Sequence, residues 1–449
     1  MTALPCNRES RNGGNFIEQE TRSQSTKVFF QGIINKINHQ HISISAHQHI
    51  TFAPMATERS KVILSSGKDQ SLRRFHPWVF SGAIKKIKGP VTEGDIVDVY
   101  SNQDEYLGTG HIQDGTIAVR IFSFEQINPG VEFWKEKIRK AYAYRKNIGI
   151  AEKADTNVFR LVYAEGDGMP GLIIDFYNGV AVLQAHSIGM HVQRIEIANA
   201  LKEVLGDRLK AVYDKSNEAL YRNEGPEVPN GYIFGESQGV GEVLENGKRF
   251  FVDWETGQKT GFFVDQRDNR ALVAKYAAGK KVCNTFCYTG GFSVYAGLAG
   301  ATEVHSVDSS KKAMALTDQN IELNGIKNHT SFAMDTFDFL KDKNETYDMI
   351  ILDPPAFAKH VSSKHNAVMG YKRLNAEAIK IIRPGGMLFT FSCSQVVDRR
   401  LFFDTVMSAA IVARRNVRVM HHLTQPPDHP VNIFHPEGEY LKGLVVYVE

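Results

Sequence analysis

The stretch Val282-Cys-Asn-Thr-Phe-Cys-Tyr-Thr-Gly-Gly-Phe292 decides how this chain is read. Its apolar start reads as a strand and its end as the opening of a helix. Two adjacent glycines at such a turn let the backbone approach a ligand closely, and a helix N-terminus favours a negative group. It is not a dinucleotide fingerprint, because Phe286 and Tyr288 stand where the earlier glycines of G-x-G-x-x-G belong. The turn says little alone; its surroundings say more. Asp308 follows the next strand candidate, Glu303–Val307, where a carboxylate accepts two ribose hydroxyls. Asp335 follows a third strand-like segment, Ser331–Met334, and suits an adenine amino group. Asp353-Pro-Pro-Ala-Phe357 closes the strand candidate Tyr347–Leu352, and Met387–Phe391 reads as one more strand. Alternating strands and helices predict a parallel sheet with helices on both faces. Ligands of such sheets bind outside the carboxyl ends of the strands, where all four features fall. The competing reading is a set of ordinary loops around a packed sheet.

Upstream the pattern differs. Residues 1–56 are rich in Asn, Gln, Ser and His with no sustained period and read as a flexible or non-native extension. Met55 opens the regular pattern and is a candidate natural start. Residues 57–130 carry short apolar runs between glycines, the signature of a small β-barrel. Ile117, Val119 and Ile121 alternate with Ala118 and Arg120, the period of a half-buried strand. Arg73 and Arg74 lie in a basic stretch with Trp78 and Phe80 inside it. That mixture suits a phosphate backbone with stackable bases; the plain alternative is a solvated charged face with Trp78 in the core. Residues 131–157 contain a linking helix with Trp134 and Ile138 on its apolar face. Residues 158–240 read as a small central α+β domain, with one helix near His191–Leu205. Residues 241–449 hold the alternating strands and helices.

Composition sets limits. A chain of 449 residues suggests two to four domains at roughly 100–200 residues each. The formal charge of +3 is too small to argue for a nucleic-acid or membrane partner by itself. Four cysteines, Cys6, Cys283, Cys287 and Cys393, make no disulfide scaffold and show no zinc-finger spacing. They read as reduced thiols of a cytoplasmic protein. No metal is expected, the clustered His39, His41, His47 and His49 included, and no run of 18 apolar residues predicts a membrane span.

These residues carry a resemblance to class I S-adenosylmethionine-dependent methyltransferases, and within them to the RlmI-like family of 23S rRNA cytosine-C5 methyltransferases. The matching pieces are Gly257-Gln-Lys-Thr-Gly-Phe-Phe-Val-Asp-Gln-Arg267, Phe286-Cys-Tyr-Thr-Gly-Gly-Phe292, Asp353-Pro-Pro-Ala-Phe-Ala-Lys359, Phe391-Ser-Cys-Ser394 and Tyr440-Leu-Lys442. Further upstream Arg160-Leu-Val-Tyr-Ala-Glu-Gly-Asp-Gly-Met-Pro-Gly171, Glu245-Asn-Gly247 and His76-Pro-Trp-Val-Phe80 match as well. The resemblance implies a multi-domain α/β protein: an N-terminal PUA-like β-barrel, a small central α+β domain and a C-terminal Rossmann-like methyltransferase domain. It implies S-adenosyl-L-methionine as cofactor, held by Cys287, Tyr288, Thr289, Gly290, Gly291, Phe292, Asp308, Asp335 and Asp353. Lys259, Thr260 and Arg267 are expected to contact cofactor or RNA, with a surface salt bridge as the alternative for Lys259 and Arg267. Arg73, Arg74, Trp78, Phe357 and Lys359 are the RNA-binding candidates. Asn284 stands where the family has an acidic residue.

The implied chemistry requires a thiol. Cytosine C5 is a poor nucleophile until a thiolate adds at C6, a covalent route that splits one hard step into easier ones. Cys393 is the expected nucleophile, Cys287 its competitor, and Asp353 the expected partner of the pyrimidine edge. The expected partner is 23S rRNA, free or partly assembled, presenting a single-stranded or loop target; a homodimer is open and no membrane is expected. Two other functions fit parts of the pattern: methylation of an exocyclic amine through the Asp-Pro-Pro loop, which needs no thiol, and a non-catalytic RNA-binding assembly factor.

Overall fold

The computed structural model describes residues 59–220, 229–341, 346–358 and 360–449. The expected extension at residues 1–56 and the RNA-binding candidate Lys359 lie outside the described residues. Six short strands open the described chain: Lys61–Leu64, Trp78–Phe80, Ile84–Lys88, Ile96–Tyr100, Tyr106–Ile112 and Ile117–Ser123. They form one mixed sheet whose apolar residues, Val62, Leu64, Val79, Val97, Val99 and Ile121 among them, converge on a single core. Glycine is required at Gly110, where an added Cβ would lie 2.4 Å from the Arg120 carbonyl oxygen of the neighbouring strand. The alternation at 117–121 predicts one wet face, but both faces of this strand are covered. Val119 and Ile121 enter the barrel core, while Phe122 packs 5.5 Å from Trp134 of the helix Val131–Asn147. That helix does more than link. Its Trp134, Ile138, Ala141 and Tyr142 join the core of the next domain.

The central sheet runs in the order Gly231–Phe234, Ala211–Asp214, Val180–Ala185, Leu172–Tyr177, Val158–Tyr163. The single helix expected near His191–Leu205 is two, Ile188–Val192 and Arg194–Leu205, separated at Gln193. A hairpin, Val240–Glu245 with Lys248–Asp253, follows. Asn246 and Gly247 at its tip both have positive φ, which is why Asn-Gly suits this two-residue turn. Its Val243, Phe250 and Val252 share a core with Tyr177 and Val180 of the central domain and Tyr295 of the last one.

The last domain is a seven-stranded sheet in the order His329–Ala333, Glu303–Asp308, Lys281–Thr285, Tyr347–Leu352, Ile382–Ser392, Lys442–Val448, Val417–Leu423. The first five strands are parallel and the last two pair antiparallel. Helices such as Arg267–Ala277, Gly291–Leu298 and Lys364–Ile381 cover it. This is the doubly wound sheet that the alternating pattern predicts, with antiparallel strands added at one edge.

Buried ion pairs fasten the central domain to this sheet. Arg267, 3% exposed, donates through Nη2 to Asp428 Oδ2 at 2.9 Å and to the Val158 carbonyl at 3.1 Å. The Arg160 backbone N–H donates to the same Asp428 oxygen at 3.0 Å, and its guanidinium grips Asp175 at 2.7 and 2.8 Å. Thr260 donates to Asp175 at 2.6 Å, and Arg270 grips Glu245 at 2.7 Å through two nitrogens. Among the described residues no helix is long and apolar enough to cross a membrane.

Candidate active site

The loop after the strand Lys281–Thr285 is built from backbone bonds. Cys287 N–H donates to the Val307 carbonyl at 3.1 Å and Gly290 N–H to the Cys287 carbonyl at 2.8 Å. Gly290 has φ +78°, and an added Cβ would meet Thr317 Cγ2 at 2.7 Å, so only glycine fits. Asp308 closes its strand with a half-buried carboxylate held by two amides, Tyr288 N–H at 3.0 Å and Ser310 N–H at 2.9 Å. Each oxygen keeps a second lone pair, so the carboxylate is oriented and able to accept two hydroxyls. The donor and acceptor chemistry here fits the ribose of a nucleoside cofactor. Tyr288 is half-buried, its hydroxyl donating to the Gly261 carbonyl at 3.2 Å and accepting from Gln258 N–H at 2.9 Å. Cys287, Thr289 and Phe292 are buried and shape the loop from behind, Phe292 against Phe391. Asn284 is fully buried and its amide donates to Ser293 at 2.9 Å, bracing the strand against the helix Gly291–Leu298. Asp335 is exposed, and its carboxylate caps the helix Thr336–Lys341 by accepting from Phe337 and Asp338 N–H.

Thr260 and Arg267, expected to contact cofactor or RNA, bond instead to Asp175 and Asp428 in this structure. Both side chains are committed to the buried interdomain network, where unpaired charge is most costly. The surface salt bridge weighed for Arg267 is excluded for the same reason. Lys259 is exposed, with φ +53°.

The strands Tyr347–Leu352 and Ile382–Ser392 lie side by side, with Leu352 opposite Thr390. Asp353 and Cys393 therefore emerge from neighbouring carboxyl ends, both half-buried. Burial, then the Asp265 carboxylate, pushes the Asp353 carboxyl up to about 7. Gln266 Nε2 donates to Asp353 Oδ2 at 3.0 Å and orients it. Burial, then Asp353 and Asp265, pushes the Cys393 thiol up to about 11, against an opposing pull from Lys442. Cys287 is a different thiol: burial drives it far above the ordinary thiol range, and its sulfur rests 3.5 Å from Met314 Sδ. Phe357 packs on Tyr371 with ring centroids 4.6 Å apart and stays half-buried.

Sequence reasoning overlooked four members of this site: Asp265, Gln266, Tyr440 and Lys442. All lie inside motifs already singled out, Gly257–Arg267 and Tyr440-Leu-Lys442, but nothing in either motif says that it reaches Asp353 or Cys393. The Tyr440 hydroxyl donates to Asp265, and Lys442 Nζ donates to the Ser394 carbonyl at 2.6 Å.

The RNA-binding candidates of the first domain divide. Arg73 is held by Asp69 at 2.6 Å and by Glu105, whereas Arg74 is exposed. Trp78 is an interdomain contact. Its indole N–H donates to Glu165 at 2.9 Å and its ring lies 4.4 Å from that of His435. His76, His435 and Glu437 also meet here, but Trp78 N–H donates to His76 Nδ1 at 3.2 Å. A neutral His76 then carries its proton on Nε2, which faces Glu437 at 3.5 Å. Phe75, 50% exposed beside Phe124 and Phe434, offers an open aromatic face next to Arg74.

Comparison with known proteins agrees with this architecture. Residues 175–440 match the S-adenosylmethionine-dependent methyltransferase family and residues 62–124 match a PUA-like domain. A protein of Aeromonas hydrophila named ribosomal RNA large subunit methyltransferase I is 38% identical, over 86% of this chain and 99% of its own length. A protein of the same name from Pseudoalteromonas atlantica is 40% identical, over 87% and 99%. A SAM-dependent methyltransferase of Streptococcus mutans has a solved structure that covers 86% of this chain and 100% of its own, at 25% identity and TM-score 0.74. A methyltransferase solved in complex with SAH superposes with the same identity and coverage and TM-score 0.75. The chain belongs to the S-adenosylmethionine-dependent methyltransferases, in the branch that carries an N-terminal PUA-like domain and includes the ribosomal RNA large subunit methyltransferase I proteins.

Proposed function

We propose that the protein methylates C5 of a cytosine in 23S rRNA, with Cys393 as covalent nucleophile. The observation that carries this reading is the pairing of a half-buried thiol with a carboxyl of raised pKa at adjacent strand ends. Bound S-adenosylmethionine supplies an electrophilic methyl group, and Asp308 with the Tyr288–Phe292 loop would hold it. Cys393 thiolate adds to C6 of the cytosine, and the ring electrons this releases make C5 the nucleophile. Asp353, protonated near neutrality, donates to the pyrimidine edge as charge develops there. C5 would then bond the methyl carbon while the sulfonium sulfur keeps the electron pair of the broken bond, and loss of the C5 proton to a base expels the thiolate and restores the ring. Relatives named for large-subunit ribosomal RNA support the substrate class, and the PUA-like domain supports RNA binding. Flipping the base costs a few kcal/mol, least in a loop, which favours free or partly assembled RNA as substrate.

Product identity tests the reading. Labelled S-adenosylmethionine and unmodified 23S rRNA are incubated with the protein, and the digested nucleosides are separated with mass detection. Labelled 5-methylcytidine is expected. A methylated guanosine or adenosine would move the function to an exocyclic amine, and no label in any RNA, with no S-adenosylmethionine binding, would favour the assembly factor.

The pH profile follows from the two groups. The thiolate form gains with pH up to about 11, whereas the protonated Asp353 is lost above about 7. kcat/KM is expected to rise with pH below about 7 and then to level off. In Asp353→Asn, which still donates but does not titrate, the break near 7 disappears; a wild-type profile unchanged across that range would remove Asp353 from this role. For the barrel, Arg74→Glu should weaken RNA binding across sequences and lower the salt slope by about 1 or more, read from binding at a series of salt concentrations.

A further inference from the structure

The Tyr440-Leu-Lys442 segment is not used by the chemistry above, yet it places a buried lysine beside the nucleophile. Lys442 begins the strand Lys442–Val448, and its antiparallel partner in the register is Ser392, the residue before Cys393. Its side chain is buried, and Nζ is fixed by the 2.6 Å bond to the Ser394 carbonyl, the residue after Cys393. The amine thus brackets the thiol from the neighbouring strand. We propose that Lys442 is a positioning residue that supplies the counter-charge for the Cys393 thiolate. The proposal rests on Cys393 being the nucleophile.

The charges around the pair explain why a counter-charge is needed. Asp353 and Asp265 face Cys393 and oppose a second negative charge there, and the Tyr371 phenol lies on the same side of the balance. A backbone hydrogen bond at Cys393 acts the other way, and among the charged groups Lys442 does so. Lys442 itself is faced by Cys393, Arg399, Asp398 and Glu439, and burial lowers it to about 8. It is therefore still largely cationic at neutral pH and loses its charge just above. Ionisation is a simple step: the Cys393 S–H bond breaks, the proton leaves to solvent and the sulfur keeps the electron pair. The ammonium stabilises the product of that step and not the thiol.

The test reads the thiol directly, without RNA. The full chain is treated with iodoacetamide at a series of pH values, and alkylation of Cys393 is followed by peptide mass mapping. In wild type the rate is expected to rise with pH and to flatten above about 8 as Lys442 discharges. Lys442→Met should slow Cys393 alkylation at neutral pH by about ten-fold, equal to one pKa unit, while Lys442→Arg retains the wild-type rate within about three-fold. Lys442→Arg should also abolish the flattening, since a guanidinium does not discharge there, so the arginine variant decides the matter even if the methionine variant fails to fold. Identical profiles in wild type and Lys442→Met, or a flattening that persists in Lys442→Arg, would overturn the proposal. Product identity is read in a separate assay, so failure of the cytosine reading and failure of this one are told apart.

Discussion

Cys393→Ala is expected to lower methyl transfer by at least about four orders of magnitude while leaving the fold and S-adenosylmethionine binding intact. Among the described residues the covalent route has no substitute nucleophile in place. Cys287 is buried against Met314 and held far up in pKa, and Cys283 is fully buried. Cys287→Ala should therefore keep most of the activity. The measurement is single-turnover transfer of labelled methyl to 23S rRNA, beside calorimetric S-adenosylmethionine binding and a melting curve. RNA carrying 5-fluorocytidine at the target adds a second readout. Its C5 substituent cannot leave as a proton, so wild type should accumulate a covalent RNA adduct on Cys393 and Cys393→Ala none. Full activity in Cys393→Ala would discard the thiol mechanism and favour transfer to an exocyclic amine.

Arg267→Ala is expected to cost about 3–5 kcal/mol of stability, the range for removing one partner of a buried ion pair. The guanidinium is buried, sits between Asp428 and Glu245, and also donates to the Val158 carbonyl. Its loss leaves Asp428 charged and enclosed. Asp428 is held far below the usual carboxylate range, burial opposing and Arg267 then His429 prevailing. A depressed pKa gives stability that is present above the unfolded value of roughly 3.9 and is lost only as pH falls through the folded one. The wild-type contribution should thus survive mild acid. In Arg267→Ala the same carboxylate lacks its main partner, so Arg267→Ala with Asp428→Asn should be less damaged than Arg267→Ala alone. Denaturant melts of the two single variants and the double variant close the cycle. A loss under about 1 kcal/mol in Arg267→Ala would show that the network is dispensable.

The doubly wound sheet was legible because its strands are apolar runs at regular intervals, with Asp308 and Asp353 at their ends. Local pattern carries such information: it depends on near neighbours and on strand period. The glycine turn was legible for the same reason, since the Gly290 φ is a property of one residue. Cys393 stood out by its chemistry and by its place after a predicted strand.

Other features depend on residues far apart in the chain. The strand at 117–123 has the period of a half-wet surface, and only the helix Val131–Asn147 lying across it makes both faces dry. Thr260 and Arg267 sit in a motif rich in ligand-like side chains, and only the approach of Asp175 and Asp428 turns them into fasteners. Trp78 reads as a stacking platform until Glu165 and His435 close on it. Asp265 and Lys442 lie 177 positions apart in the sequence and act on one thiol. Residue pattern alone was enough for the sheet and the glycine turn, and it singled out Cys393 as the candidate nucleophile. The tertiary structure decided which charges face it, because burial and Coulomb interaction depend on distance in space and a linear pattern holds no record of that distance.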